Sequence, residues 1–126
     1  MSRTEVKQHA GPRYLVSLPV RAEWNEKRTG KHVITEGTTE NVGPTGAVVH
    51  LEQLPTVGSR IIISIQGAGG PKIRARAEVV RLVRDIRQPL VSLSVVDARD
   101  EWRGKVWEPA GTLASRRAKA EEDSSD

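Results

Sequence analysis

The sequence predicts an all-β domain: six short antiparallel strands in a small barrel or sandwich, with a short helix after them. Three observations predict it. Apolar residues recur with a period of two through most of residues 16–96, clusters of Gly, Pro and Asn interrupt them at short intervals, and no helical period occurs before residue 97. A chain of 126 residues suits one domain, long enough to bury roughly two-thirds of its unfolded surface.

The elements follow in order. Residues 1–12 are polar and lack a period, so they read as a flexible arm ending at Gly11-Pro12. Val16, Leu18, Val20, Ala22 and Trp24 then alternate with polar residues, the pattern of a half-buried first strand. Pro19 falls on its outward set and donates nothing to a ladder, so an open edge is expected there. Asn25 to Gly30 is a turn, and Lys31 to Glu40, rich in Thr and Val, is a second strand. After the turn from Asn41 to Gly46, the alternation of Ala47, Val49 and Leu51 marks a third. Leu54 to Gly58 makes a corner, Arg60 to Ile65 is a β-branched fourth strand, and Gly67 to Pro71 is a loop. In the fifth strand Ile73, Ala75, Ala77 and Val79 hold one face, and then the apolar set shifts to Val80 and Leu82. That slip predicts a β-bulge near Val79. Asp85 to Pro89 turns the chain into a last strand, Leu90 to Val96. Trp102 and Val106, with Trp107 beside them, give a short helix one apolar face, which Gly104 weakens and Pro109 limits. The reading divides the chain into an arm (1–12), a barrel domain with its helix (13–107) and a polar, disordered tail (108–126) ending in EEDSSD.

Composition excludes several functions. There is no cysteine, hence no disulfide and no thiolate metal site. His32 and His50 sit in strand patterns without a neighbour at metal-ligand spacing, and Ser17, Ser64 and Ser92 lack an adjacent base or a strained elbow. No catalytic, metal or cofactor site is read, and the chain is not expected to be an enzyme. Without a membrane span or an export signal, a cytoplasmic protein is expected. The net charge of +4 comes from 20 basic residues scattered among 16 acidic ones, a mixed-charge surface rather than a basic stripe.

The segment "TENVGPTGAVV" calls for a second reading. Asn41 suits a turn and offers an amide that can face a purine edge, while Gly43 and Gly46 permit positive φ or close backbone approach. Taken with "GPRYLVSLPV" upstream, "LPTVGSRIIISI" downstream and the long "IRARAEVVRL" strand, this order resembles the PilZ domain, the bacterial receptor module for cyclic di-GMP. The resemblance covers about residues 9–107. The family carries RxxxR just before its first strand and (D/N)xSxxG in the later turn. Arg13 matches the second Arg and His9 stands at the first; Asn41 matches the Asp/Asn, Gly43 stands at the Ser, and Gly46 matches the Gly. The resemblance implies a six-stranded antiparallel barrel with a C-terminal helix, an arm that wraps back beside the Asn41 turn, and cyclic di-GMP as the ligand of His9, Arg13, Asn41, Gly43 and Gly46. In the family the arginines grip guanine and phosphate, which suits a planar guanidinium.

The two departures have a cost. His9 offers at most two donors and no guanidinium fork. Losing one Arg contact and the Ser hydroxyl removes about 2–4 kcal/mol, a factor of roughly 30 to 1,000 in affinity. Arg3 or Lys7 can substitute from the arm only against the entropy of ordering it. The leading expectation is therefore a PilZ-like regulatory module with weak or lost nucleotide binding that acts through an unidentified protein partner. The alternative is a working cyclic di-GMP sensor using Arg13 and Asn41. A third reading, a basic barrel binding RNA or single-stranded DNA, is weakened by a supply of only three Trp and one Tyr for base stacking.

Overall fold

The computed structural model describes residues 11–67, 69–83, 87 and 89–124. Within them the six alternating segments form β1 (Pro19–Asn25), β2 (His32–Gly43), β3 (Gly46–Leu51), β4 (Arg60–Gly67), β5 (Gly70–Val83) and β6 (Leu90–Val95). They close into one antiparallel barrel in the order β1-β2-β3-β6-β5-β4. Closure resolves the choice between barrel and sandwich that the pattern alone left open, and it gives each strand a partner on both sides. Pro19 opens β1, paired with Thr38 of β2 but lying just before the stretch that pairs with β4, which begins at Val20. Its missing N–H is tolerated there.

The alternation read from the sequence fills the barrel. Val20, Ala22 and Trp24 of β1, Ile61, Ile63 and Ile65 of β4, Ile73, Ala75, Ala77 and Val79 of β5, and Val91, Leu93 and Val95 of β6 are all buried. The expected bulge lies in β5, where the register with β6 shifts between Val79 and Arg81. Val80 is the extra residue and points to solvent rather than joining the apolar set. The expected turn over residues 85–89 falls largely outside the described residues, as does the arm over residues 1–10.

A second bulge, in β2, was not legible. The register with β3 shifts between Thr39 and Asn41. Up to that point odd-numbered residues face inward (Val33, Thr35, Thr39 are buried); beyond it the buried residue is Val42. The extra residue thus turns Asn41 out of the core. Thr39 marks the change of face. Its buried hydroxyl accepts from Leu18 N–H (2.8 Å) and donates to the Val16 carbonyl, which satisfies the strand approaching from the arm.

After β6 the chain is helical from Arg99 to Ser124: α1 (Arg99–Trp102), a wide π turn (Arg103–Trp107) and α2 (Glu108–Ser124). This differs from the sequence reading, which ended the helix near Pro109 and placed a disordered tail from residue 108. In the wide turn the Glu108 N–H reaches back to the Arg103 carbonyl, a longer span than an α-helix uses. Such a turn accommodates a proline that an unbroken α-helix would reject. Beyond it, small residues give α2 a packing face: Ala110 is buried and Ala114 packs against the core. Trp102 and Val106 are each only 1% exposed, so the apolar face expected of the helix does cap the barrel.

Candidate ligand-binding site

The site is built on the β2–β3 hairpin. Gly43 pairs with Gly46, leaving only Pro44 and Thr45 as the tip. Neither glycine has a positive φ, which corrects one of the two reasons offered for them. Close approach is the reason that holds. A Cβ on Gly46 would run into the Leu93 carbonyl of β6, so Gly46 is required by the neighbouring backbone. A Cβ on Gly43 would instead lie 2.5 Å from Nη1 and 3.0 Å from Cζ of Arg13. The two motif glycines thus serve different neighbours.

Arg13 reaches the hairpin because the chain before β1 is fastened to it. Tyr14 and Val42 exchange two backbone hydrogen bonds, Tyr14 N–H to the Val42 carbonyl at 2.8 Å and the reverse at 2.9 Å. Arg13 Nε donates to Asn41 Oδ1 at 2.7 Å, joining two motif residues 28 positions apart. The bulge that turns Asn41 outward is what makes this contact available. The guanidinium lies against Gly43, and its desolvation there lowers the Arg13 pKa from its ordinary value. Arginine stays protonated regardless, so the site keeps one fixed positive charge.

The helix locks both partners from behind. Trp102 Nε1 donates to the Gly43 carbonyl at 2.9 Å, a buried bond. Trp107 Nε1 donates to the Pro12 carbonyl at 2.9 Å, and its ring stacks on Tyr14 with centroids 6.0 Å apart. The Arg103 guanidinium sits over the Trp107 ring at 5.2 Å, a cation–π contact. Gly11 and Gly111 leave room for these rings, since a Cβ on either would press on Trp107 or Tyr14. None of these fastenings was read from the sequence beyond the general packing of the helix.

The structure therefore brings together Arg13, Asn41, Gly43 and Gly46, while His9 lies outside the described residues. His32 and His50 are elsewhere on the barrel wall. His32 contacts Asn25 Oδ1 (2.8 Å) and Glu23, and His50 contacts Glu40 Oε1 at 2.9 Å. Among the described residues no group of three His, Cys, Asp or Glu is arranged to hold a metal ion. Some basic residues on the wall are matched locally: Arg21–Glu36 and Arg74–Glu23, both 3.5 Å, and Arg76–Asp97. The tryptophans are core or packing residues: Trp24 and Trp102 are buried, and Trp107 is partly buried against Pro12 and Tyr14. A cavity of about 560 Å³ lies between Leu18 and the helix residues Val106, Ala110 and Leu113; none of the motif residues lines it. No described helix is long and apolar enough to cross a membrane.

No protein-family model and no curated protein matches the sequence. Solved structures do match the fold. The chain is similar to YcgR from Escherichia coli in complex with c-di-GMP, with a TM-score of 0.64 and 16% identity over 92% of this chain. It spans about half of that longer protein (50%). The separate PilZ domain of YcgR with c-di-GMP matches with a TM-score of 0.57 and 16% identity, over 90% of this chain and 95% of that one. The inhibitor of motility MotI/DgrA of Bacillus subtilis matches with a TM-score of 0.56 and 18% identity, over 87% of this chain and 51% of its own. Barrel order, closing helix and these likenesses agree: the chain has the fold of the PilZ domain.

Proposed function

We propose that this chain is a PilZ-type regulatory module, not an enzyme, that keeps half of a cyclic di-GMP site and acts in the cytoplasm through contacts with a protein partner. One observation carries the reading: the Arg13–Asn41 hydrogen bond, which unites the surviving members of two separate motifs on one hairpin. A guanidinium there suits the ligand chemically, pairing with a phosphate or stacking on a guanine face. The missing half explains the rest. His9 supplies no second fork and Gly43 no hydroxyl, and the resulting loss of roughly 30- to 1,000-fold takes a micromolar site out of useful range. A module that has lost its ligand in this way keeps its fold as a surface for protein recognition.

A second reading, a working sensor, is favoured by the placement of Arg13 against the hairpin, where one fixed charge and the Asn41 amide are already assembled. Calorimetry with cyclic di-GMP at modest salt separates the two. The proposal expects no binding at micromolar concentrations for the wild type and a gain of at least tenfold for His9→Arg. Any residual binding should vanish in Arg13→Ala. Micromolar binding by the wild type that Arg13→Ala abolishes would replace the proposal with the sensor reading. Binding that survives Arg13→Ala would refute the assignment of the site to this hairpin.

A further inference from the structure

We propose that Gly43 is a positioning residue for Arg13: its missing side chain lets the guanidinium lie down on the hairpin, in the space of the motif serine's side chain and withdrawn from ligand. The inference rests on reading the hairpin as a cyclic di-GMP site.

The backbone around Arg13 is held on both sides, by Trp107 on the Pro12 carbonyl and by the paired bonds between Tyr14 and Val42. What remains movable is the side chain. Its Nε is engaged by Asn41 Oδ1, and its Nη1 stands 2.5 Å from where a Cβ of residue 43 would be. Arg13 Nε–H and Asn41 Oδ1, two groups that a nucleotide would use, are therefore engaged with each other. Ligand binding must lift the guanidinium and give up a charge-assisted bond, so the apparent affinity falls by the fraction of molecules in which Arg13 is lifted.

A β-carbon at position 43 would make the lying position too crowded. Gly43 has no positive φ, and the atoms in the way are the far end of a flexible side chain, so the hairpin itself need not move. The value of a serine at this position then divides in two. Its hydroxyl offers a hydrogen bond, and its β-carbon alone holds the arginine up. Motif logic counts only the first, so the two accounts differ on alanine.

The test is an NMR measurement on the full chain, labelled with ¹⁵N arginine, of hydrogen exchange at Arg13 Nε–H, followed by titration with cyclic di-GMP. The wild type should show Arg13 Nε–H exchanging more slowly than that of the exposed Arg81. In Gly43→Ala this exchange should accelerate about tenfold, and the nucleotide should bind about three- to tenfold tighter, the net scale of one solvent-exposed hydrogen bond released. Gly43→Ser should match or exceed alanine. Wild-type exchange at Arg13 as fast as at Arg81, or exchange unchanged by the alanine, would overturn the proposal. So would a Gly43→Ala protein that fails to fold, because the inference requires that only a side-chain end is displaced. Should no variant bind the nucleotide, the exchange result decides the role of Gly43 alone, and the failure belongs to the functional reading.

Discussion

Replacing Trp102 by Phe isolates the bond that ties the helix to the hairpin. Trp102 is 1% exposed and its Nε1 donates to the Gly43 carbonyl at 2.9 Å. Phenylalanine keeps an aromatic ring in the core but removes the donor, leaving a buried carbonyl unsatisfied at about 1–3 kcal/mol. The smaller ring also leaves a void, worth roughly a further 1 kcal/mol. The sum is about 2–4 kcal/mol, and for a domain of this size a melting temperature shifts by about 4 °C per kcal/mol, so a fall of roughly 8–16 °C is expected. Trp107→Phe is the matched control. Its Nε1 bond to Pro12 is exposed, and phenylalanine retains the stacking on Tyr14, so its loss should stay near 1 kcal/mol. Thermal unfolding followed by circular dichroism measures both. If Trp102→Phe melts within about 2 °C of the wild type, or Trp107→Phe costs as much, the hairpin is not held by Trp102 and the reasoning fails.

Two further outcomes are expected. Gly46→Ala should destabilise by more than about 3 kcal/mol because its Cβ meets the Leu93 backbone, whereas Gly43→Ala should cost less than about 1 kcal/mol; urea unfolding of the pair compares them, and equal losses would contradict the assignment. Truncation after Trp107 should cost about 1–3 kcal/mol by removing Ala110 and Ala114 from the core and uncovering Tyr14, so an unchanged urea midpoint would mean that α2 does not pack.

The strands were legible wherever aliphatic residues alternate cleanly, as in β1, β4 and β6. In β5 even the bulge could be read, because Val79 and Val80 are adjacent aliphatics that cannot both face inward. The equivalent slip in β2 was hidden because threonines hold the inward positions. Thr35 and Thr39 carry no hydropathy signal, so the change of face before Val42 left no mark. The helix beyond Pro109 was missed for a related reason: it packs through alanines and a glycine, and its wide turn relieves a proline that normally ends such an element. At the site, motif order brought Arg13 and Asn41 together, but nothing in a linear sequence separates a glycine needed for positive φ from one needed for proximity. That distinction depends on what stands opposite, Leu93 for Gly46 and Arg13 for Gly43. The Trp102 and Trp107 bonds depend on the closed fold in the same way.

The span of the fastenings sets an order of assembly. Arg13 meets Asn41 across 28 residues, Trp102 meets Gly43 across 59, and Trp107 meets Pro12 across 95. Contacts that close long loops are costly in entropy and tend to form late, and during synthesis they wait for the later residues to emerge. A nascent chain displaying the complete β2–β3 hairpin still lacks both tryptophans that hold it. The hairpin can form early, but the Arg13–Asn41 arrangement becomes fixed only when the helix arrives. A ribosome stalled short of residue 102 would therefore carry the six strands without either tryptophan bond, and the Arg13–Asn41 contact would be braced only after the whole barrel had been made.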